Sequence, residues 1–304
     1  MDRQKVLAIV GPTGIGKTSL SVWLAKQLDG EIISCDSMQV YKKMDIGTAK
    51  VTQEEMQGIH HELIDVQNYN EPYNVKVFQE KCRTAIEDVV KRGKFPILCG
   101  GTGLYLKAAL YDYEFQEENE DIVYTAFLNS KTNEELVAML KEKDEKALEK
   151  IHPNNRKRLI RALQICHSGT SKSEQEDKQQ HIPLYDVYFL GLDVNREILH
   201  DRINKRVDIM FENGLVKEVE DLFTNPETWE YTSFQGIGYK EFKDYFLKEK
   251  SIDEVKTAIK THSRQYAKRQ YTWFNNQMPV HWFEAQNRDE IYSAVKEWLM
   301  DEDK

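Results

Sequence analysis

The chain is 304 residues long, with 40% hydrophobic and 31% charged residues and a formal net charge of −9. That length suits one large domain or two modest ones with a buried core, and the composition excludes a disordered chain. No apolar run reaches the roughly 18 residues of a membrane span, and the opening MDRQK leads straight into a strand-like segment, which predicts no secretory leader and a cytoplasmic protein.

In chain order, residues 5–10 (KVLAIV) predict a buried parallel strand ending at Gly11. Residues 17–28 predict a helix. Residues 31–35 (EIISC) read as a second strand ending at Asp36, and 61–66 (HELIDV) as a third. Residues 75–91 predict a helix, because Val75, Phe78, Cys82, Ala85, Ile86 and Val89 recur at helical spacing. Residues 95–99 (FPILC) read as a fourth strand, closed by Gly100 and Gly101. Residues 184–192 give a fifth, and 280–283 a late one. The strand–helix alternation breaks across 114–183. There, 133–151 and 153–167 predict two helices, and 169–180 is polar and loop-like. After Asn195 the chain reads as mainly helical.

Gly11, Pro12, Thr13, Gly14, Ile15, Gly16, Lys17 and Thr18 match G-x-x-x-x-G-K-[ST] in full, after a strand and before a helix. Glycines let backbone N–H groups turn inward around phosphate oxygens, and the helix N-terminus adds positive potential. Lys17 supplies a point charge, and Thr18 can ligate Mg²⁺. These features predict an α/β fold with a P-loop NTPase-like parallel sheet and helices on both faces. The catalytic core is expected at 1–113 and 184–304, with a helical insertion domain at 114–183. The motif alone does not say which phosphate is held; ATPases, GTPases and kinases are its commonest owners.

In an open α/β sheet, ligands collect at the carboxyl ends of strands. Asp36 and Ser37, after the second strand, therefore belong beside the P-loop. A carboxylate there can ligate Mg²⁺ through water or accept a proton; it can equally cap a helix. Thr102 falls at the end of the fourth strand, where it can donate to a phosphate oxygen or simply close a turn. A Walker-B aspartate often sits near such a strand end, but this one ends in Cys-Gly-Gly-Thr, which leaves Asp65 as the other candidate.

Taken in order, GPTGIGKT, SCDSMQVYKKMDIGTAK, HHELIDV, GGTGLYLKA, IHPNNRKRLIRALQI, GIGYKE and RQYAKRQYTWF resemble the bacterial tRNA dimethylallyltransferase family, over about residues 5–283. The resemblance implies transfer of a dimethylallyl group from dimethylallyl diphosphate to the exocyclic amine of the adenosine just 3′ of the tRNA anticodon, with Mg²⁺. The P-loop would then hold a leaving diphosphate. Lys17, Asp36 and Thr102 would be catalytic: Asp36 takes the amine proton and Thr102 donates to the bridging oxygen. Arg206 and Arg264 would join the P-loop on the diphosphate. Asp36, Ser37, Met38, Gln39 and Thr102 would touch tRNA, as would Lys157, Arg158 and Arg161 on the insertion. So would Gln235, Gly236, Ile237, Gly238, Tyr239 and Lys240. Tyr124 stands where the family often has an arginine that contacts tRNA; a tyrosine there can stack on a base. The expected protein is a monomer whose partners are the tRNA anticodon stem-loop and the isoprenoid donor. A P-loop small-molecule kinase and an RNA-binding NTPase-like switch are the alternatives.

The acidic total hides basic stretches. Arg156, Lys157, Arg158 and Arg161 cluster within six residues, and Lys256, Lys260, Arg264 and Lys268 recur every fourth residue. Each run is either a solvated helix face or an RNA-facing one. The pair His60–His61 has no third ligand in sequence reach, so a packing role is expected over a metal site. Cys35, Cys82, Cys99 and Cys166 form no C-x-x-C pair and are expected to be reduced thiols.

Overall fold

Among the residues described by the computed structural model, 3–115, 121–174 and 181–301, six parallel strands form one sheet. They are β1 (Lys5–Val10), β2 (Gly30–Ser34), β3 (His61–Glu62), β4 (Phe95–Gly100), β5 (Asp186–Asp193) and β6 (His281–Glu284). Their order is β3-β2-β4-β1-β5-β6. Part of the acidic stretch 114–121 and the end of the polar segment 169–180 lie outside the described residues.

β1 is buried on both faces. Val6, Ala8 and Val10 point into one apolar layer, with Phe78, Ile86, Ile259 and Phe274. Leu7 and Ile9 point into the other, with Leu20, Leu24, Ile291 and Val295. Period-two alternation inside a continuous apolar run is what a central parallel strand requires. The helices Lys17–Leu28 and Val75–Lys91 fall where their periodicity places them. The third strand is shorter than HELIDV suggests. Leu63 and Asp65 take φ of 63° and 56°, which breaks extended backbone after Glu62.

The chain divides into two compact units, Met1–Tyr111 with Pro183–Lys304, and Asp112–Ile182. The second unit packs helices Ile122–Asn129, Asn133–Asp144 and Arg156–His167 around Leu128, Leu136, Leu140, Leu159 and Leu163. The expected helix 133–151 gives way at Glu145 to a tight 3₁₀ turn. The expected helix 153–167 begins only at Arg156, where the Asn155 side chain accepts the Arg158 N–H. The helix Ile122–Asn129 has no signature in the sequence, because Ile122 and Val123 are largely exposed and no clean apolar stripe forms.

In the first unit, segment 45–50 carries little regular structure and is pinned by one carboxylate. Glu218, in the helix Leu215–Leu222, accepts the backbone N–H groups of Asp45 at 2.8 Å, Ile46 at 2.7 Å and Gly47 at 2.9 Å. It also accepts the hydroxyl of buried Tyr239 at 2.7 Å. Charge-assisted bonds of this kind are worth more than neutral ones. Glu218→Ala is therefore expected to lower stability by about 2 kcal/mol or more, with a smaller loss of about 1 kcal/mol for Tyr239→Phe. Urea denaturation of the variants measures both, and an unchanged midpoint for Glu218→Ala would remove the carboxylate as the anchor.

Candidate active site

Parallel pairing aligns three strand ends. Val10 lies opposite Gly100, and Ser34 lies opposite Cys99. The P-loop, Asp36 and Thr102 therefore leave the sheet along one edge, from adjacent strands. The loops after β2 and β4 pass so close that a Cβ on Gly100 would sit 2.3 Å from the Cys35 carbonyl oxygen. Only glycine fits there.

The P-loop is formed as its motif requires. Gly11, Gly14 and Gly16 take φ of 139°, 80° and 108°. Gly16 opens the helix Lys17–Leu28 without a side-chain cap, which leaves its first N–H groups for an anion. Ile15 is fully buried and anchors the loop from below. Lys17 folds back over the loop, its Nζ donating to the carbonyls of Gly11 at 2.9 Å and Pro12 at 2.8 Å. Burial pushes its ammonium down to about 8; the charges of Cys99 and Asp36 resist this, and that of Arg206 adds to it. Arg206, in the helix Arg196–Glu212, donates to the Thr13 hydroxyl at 2.6 Å. Burial disfavours its charge too, opposed by Asp36. Arg202 reaches the Ile15 carbonyl at 3.3 Å.

Asp36 takes the capping role that its sequence position allows. One oxygen, Oδ1, caps the following turn by accepting the N–H groups of Met38 at 2.8 Å and Gln39 at 3.3 Å. Its negative charge favours the charged forms of Lys17 and Arg206. Thr102 sits at the N-cap of the helix Gly103–Leu110, yet its side chain makes no cap hydrogen bond. Burial and the charge of Asp36 push the nearby Tyr266 hydroxyl up to about 12.

Within RQYAKRQYTWF, sequence reasoning gives Gln270 no role and reads Tyr266 as a core aromatic before a base-stacking one. Both lie on the long helix Ile252–Gln277. Its buried positions include Val255, Ile259, Ser263, Ala267, Gln270 and Phe274. A glutamine on that stripe is the signal, because a buried amide must find partners.

Other expected residues are placed differently. Arg264 is held by Asn204 and by Thr261 at 3.1 Å, so a contact to a diphosphate requires its release. Lys256 and Lys260 both pair with Asp208, at 2.6 and 2.7 Å. Lys256, Lys260 and Arg264 are therefore engaged with a neighbouring helix, while Lys268 on the same stripe is exposed. Asp65 is engaged by Lys50 at 2.6 Å, which removes it as a Walker-B equivalent. Ser37, Met38 and Gln39 are half-buried in the turn after Asp36, and Met38 abuts Gly236. Gln235 and Lys240 are exposed, and Gly236 and Ile237 partly so. Gly238 is buried, and Tyr239 is wholly so, which commits its ring to packing. His60 pairs with Glu62 at 3.1 Å. Glu31, His60 and Glu62 lie close enough to share a cation, but Arg92 already bridges the two carboxylates.

In the second unit, Lys157, Arg158 and Arg161 are exposed on the helix Arg156–His167. Arg156, the first of that basic run, is spent internally on Asn133, Leu128 and Asn129. Tyr124 stacks on His167 with ring centroids 3.9 Å apart, so its ring already has an aromatic partner.

The family model described as IPP transferase matches residues 39–277. The tRNA dimethylallyltransferase of Bacillus anthracis is 49% identical over 301 residues, covering 97% of this chain and 96% of the relative. Two solved structures are similar along nearly the whole chain. The full-length tRNA isopentenylpyrophosphate transferase from Bacillus halodurans has a TM-score of 0.75 at 41% identity, covering 98% of this chain and 97% of that one. A eukaryotic dimethylallyltransferase acting on tRNA has a TM-score of 0.82 at 32% identity, covering 98% of this chain and 78% of that one. With the P-loop, Asp36 and Thr102 at one sheet edge, and relatives of this identity matched from end to end, the chain belongs to the IPP transferase family.

Proposed function

We propose that the protein transfers a dimethylallyl group from dimethylallyl diphosphate to the exocyclic amine of the adenosine 3′-adjacent to the tRNA anticodon, releasing diphosphate. The observation that carries this reading is the convergence of Lys17, Asp36 and Thr102 from three adjacent strand ends, with the charge of Asp36 favouring the charged forms of Lys17 and Arg206.

The allylic C–O bond breaks and its electron pair leaves with the diphosphate. The P-loop amides and Lys17 stabilise that charge as it develops, and Arg206 holds Thr13 in place beneath it. Thr102 donates to the bridging oxygen. The adenine amine forms the new C–N bond, and its proton goes to Asp36. An aromatic amine is a poor nucleophile, so holding it in line matters as much as basicity. The base has to leave the anticodon stack to reach the donor. Met38 and Gln39, the exposed Gln235 and Lys240, and the basic Lys157, Arg158 and Arg161 are the proposed tRNA contacts.

Mg²⁺ fits the same site. The Thr18 side chain is a hard oxygen donor exposed at the helix start, and it makes no hydrogen bond among the described residues. Thr18 would hold the ion, which supplies further neutralisation of the diphosphate. The kinase alternative is disfavoured, because the β4 end carries Cys-Gly-Gly-Thr and Asp65 belongs to Lys50.

Incubation with unmodified tRNA, Mg²⁺ and labelled dimethylallyl diphosphate is expected to label tRNA without ATP. ATP turnover with no label on tRNA would sink the reading. In Asp36→Asn the amide oxygen can still cap Met38 and Gln39, but the base is gone. Donor binding is expected to persist while kcat falls about 100-fold or more. Near-parental kcat would remove Asp36 as the proton acceptor.

The depressed Lys17 sets a pH dependence. Its charge is present below about 8 and lost above, and a bound diphosphate favours the charged form. Donor affinity, read by calorimetry, is expected to hold near pH 7 and then to weaken, approaching about tenfold per pH unit above that point. Constant affinity up to pH 9.5 would show that Lys17 keeps its proton throughout.

A further inference from the structure

We infer that Gln270 is a positioning residue that fixes the distance between the two phosphate-facing loops, and so sets Thr102 against the donor held in the P-loop. The inference rests on the proposed prenyl transfer.

Gln270 is 6% exposed, and its side-chain amide makes two hydrogen bonds that no other side chain duplicates among the described residues. Its Oε1 accepts the Thr13 N–H of the P-loop at 2.9 Å. Its Nε2 donates to the Gly101 carbonyl, one residue before Thr102, also at 2.9 Å. The loops after β1 and β4 are thus bridged by one planar group. The fit is close: a Cβ on Gly101 would sit 2.0 Å from Gln270 Nε2 and 3.2 Å from the Gly11 carbonyl oxygen. Gly101 has no side chain because the amide occupies that space.

The bridge also aims the P-loop. The Thr13 N–H is turned toward Gln270, and the Thr13 hydroxyl is taken by Arg206 at 2.6 Å. Neither is offered to an anion. Both serve as fixed points that hold the remaining loop amides in their inward orientation. Tyr266, four residues earlier on the same helix, lies beside both Thr102 and Gln270.

The chemistry of the bridge is specific to a neutral donor–acceptor. An amide accepts with one atom and donates with the other. A glutamate carboxylate of the same shape still accepts from Thr13 but faces the Gly101 carbonyl with a second acceptor. A protonated glutamic acid regains the donor. Methionine fills the space and satisfies neither loop, leaving a buried N–H and C=O unpaired. The titratable and charged groups around this position are Lys17, Asp36, Arg206, Tyr266, Arg269 and Cys99. Each is present in parent and variant alike.

The test compares parent, Gln270→Met and Gln270→Glu with saturating dimethylallyl diphosphate and unmodified tRNA. Gln270→Met is expected to lower kcat by about 10- to 100-fold, the cost of misplacing a reacting group by about an ångström, with the KM for tRNA within about threefold of the parent. Gln270→Glu is expected to be impaired at pH 8 and to recover at least about fivefold relative to the parent as pH falls to 6, because protonation restores the donor. A packing role alone moves neither the kcat-against-KM split nor the relative pH profile. If Gln270→Met fails to fold, the isosteric Gln270→Glu profile decides. A parent that labels tRNA, with Gln270→Glu following the parental pH profile at parental kcat, overturns the role of Gln270 alone. A parent that labels no tRNA overturns the proposed function and this inference together.

Discussion

The parallel pairing of β1 with β4, and of β4 with β2, fixes where every reacting group can stand. The three strands end within a residue of one another, at Val10, Gly100 and Ser34. Local chemistry then decides the course of the chain beyond each end. Gly11 starts a loop of inward-turned amides, Cys35 leads to the Asp36 cap, and Gly101 clears room for the Gln270 amide. A bulkier residue at Gly100 would press on the Cys35 carbonyl and push the Asp36 turn away from the P-loop. Backbone register thus does the coarse positioning, and the absence of side chains at two glycines permits the fine positioning.

The electrostatics of the site are those of a cradle awaiting an anion. Lys17 and Arg206 are both half-buried, and burial disfavours the charge on each. Asp36 is the carboxylate that opposes this for both, and its Oδ1 is already committed to two backbone donors. One half-engaged carboxylate does not balance two half-buried cations. A diphosphate would. Its charge rises as the C–O bond breaks, so the stabilisation grows toward the transition state, the condition under which binding energy accelerates a reaction.

Much of this is legible in the sequence. The run KVLAIV before GPTGIGKT specifies a buried strand feeding a phosphate loop, because both faces of β1 are apolar and the glycines fall where φ is positive. The helix Val75–Lys91 shows its apolar stripe plainly. Elements without such a stripe mislead. HELIDV alternates like a strand, but Leu63 and Asp65 turn left-handed to leave the sheet. The stripe of Lys256, Lys260 and Arg264 reads as solvated or RNA-facing, because sequence cannot show that Asp208 and Asn204 stand opposite. Asp36 reads as a choice between cap and base, and the cap proves to engage Oδ1, the oxygen that accepts from Met38 and Gln39.

The two bridging side chains, Glu218 and Gln270, solve related problems with opposite chemistry. Glu218 gathers three backbone N–H groups and a phenol, all donors, so a negative charge suits it. It stands on segment 45–50, whereas Gln270 stands on the phosphate loop itself. A carboxylate at position 270 would sit beside the anion the loop exists to hold, and Coulomb repulsion at that range would cost affinity. A neutral amide supplies the same rigidity without the charge. It also meets one donor and one acceptor, Thr13 N–H and Gly101 C=O, which only a two-sided group can satisfy together. The choice of glutamine there follows from the charge of the ligand as much as from the geometry of the loops.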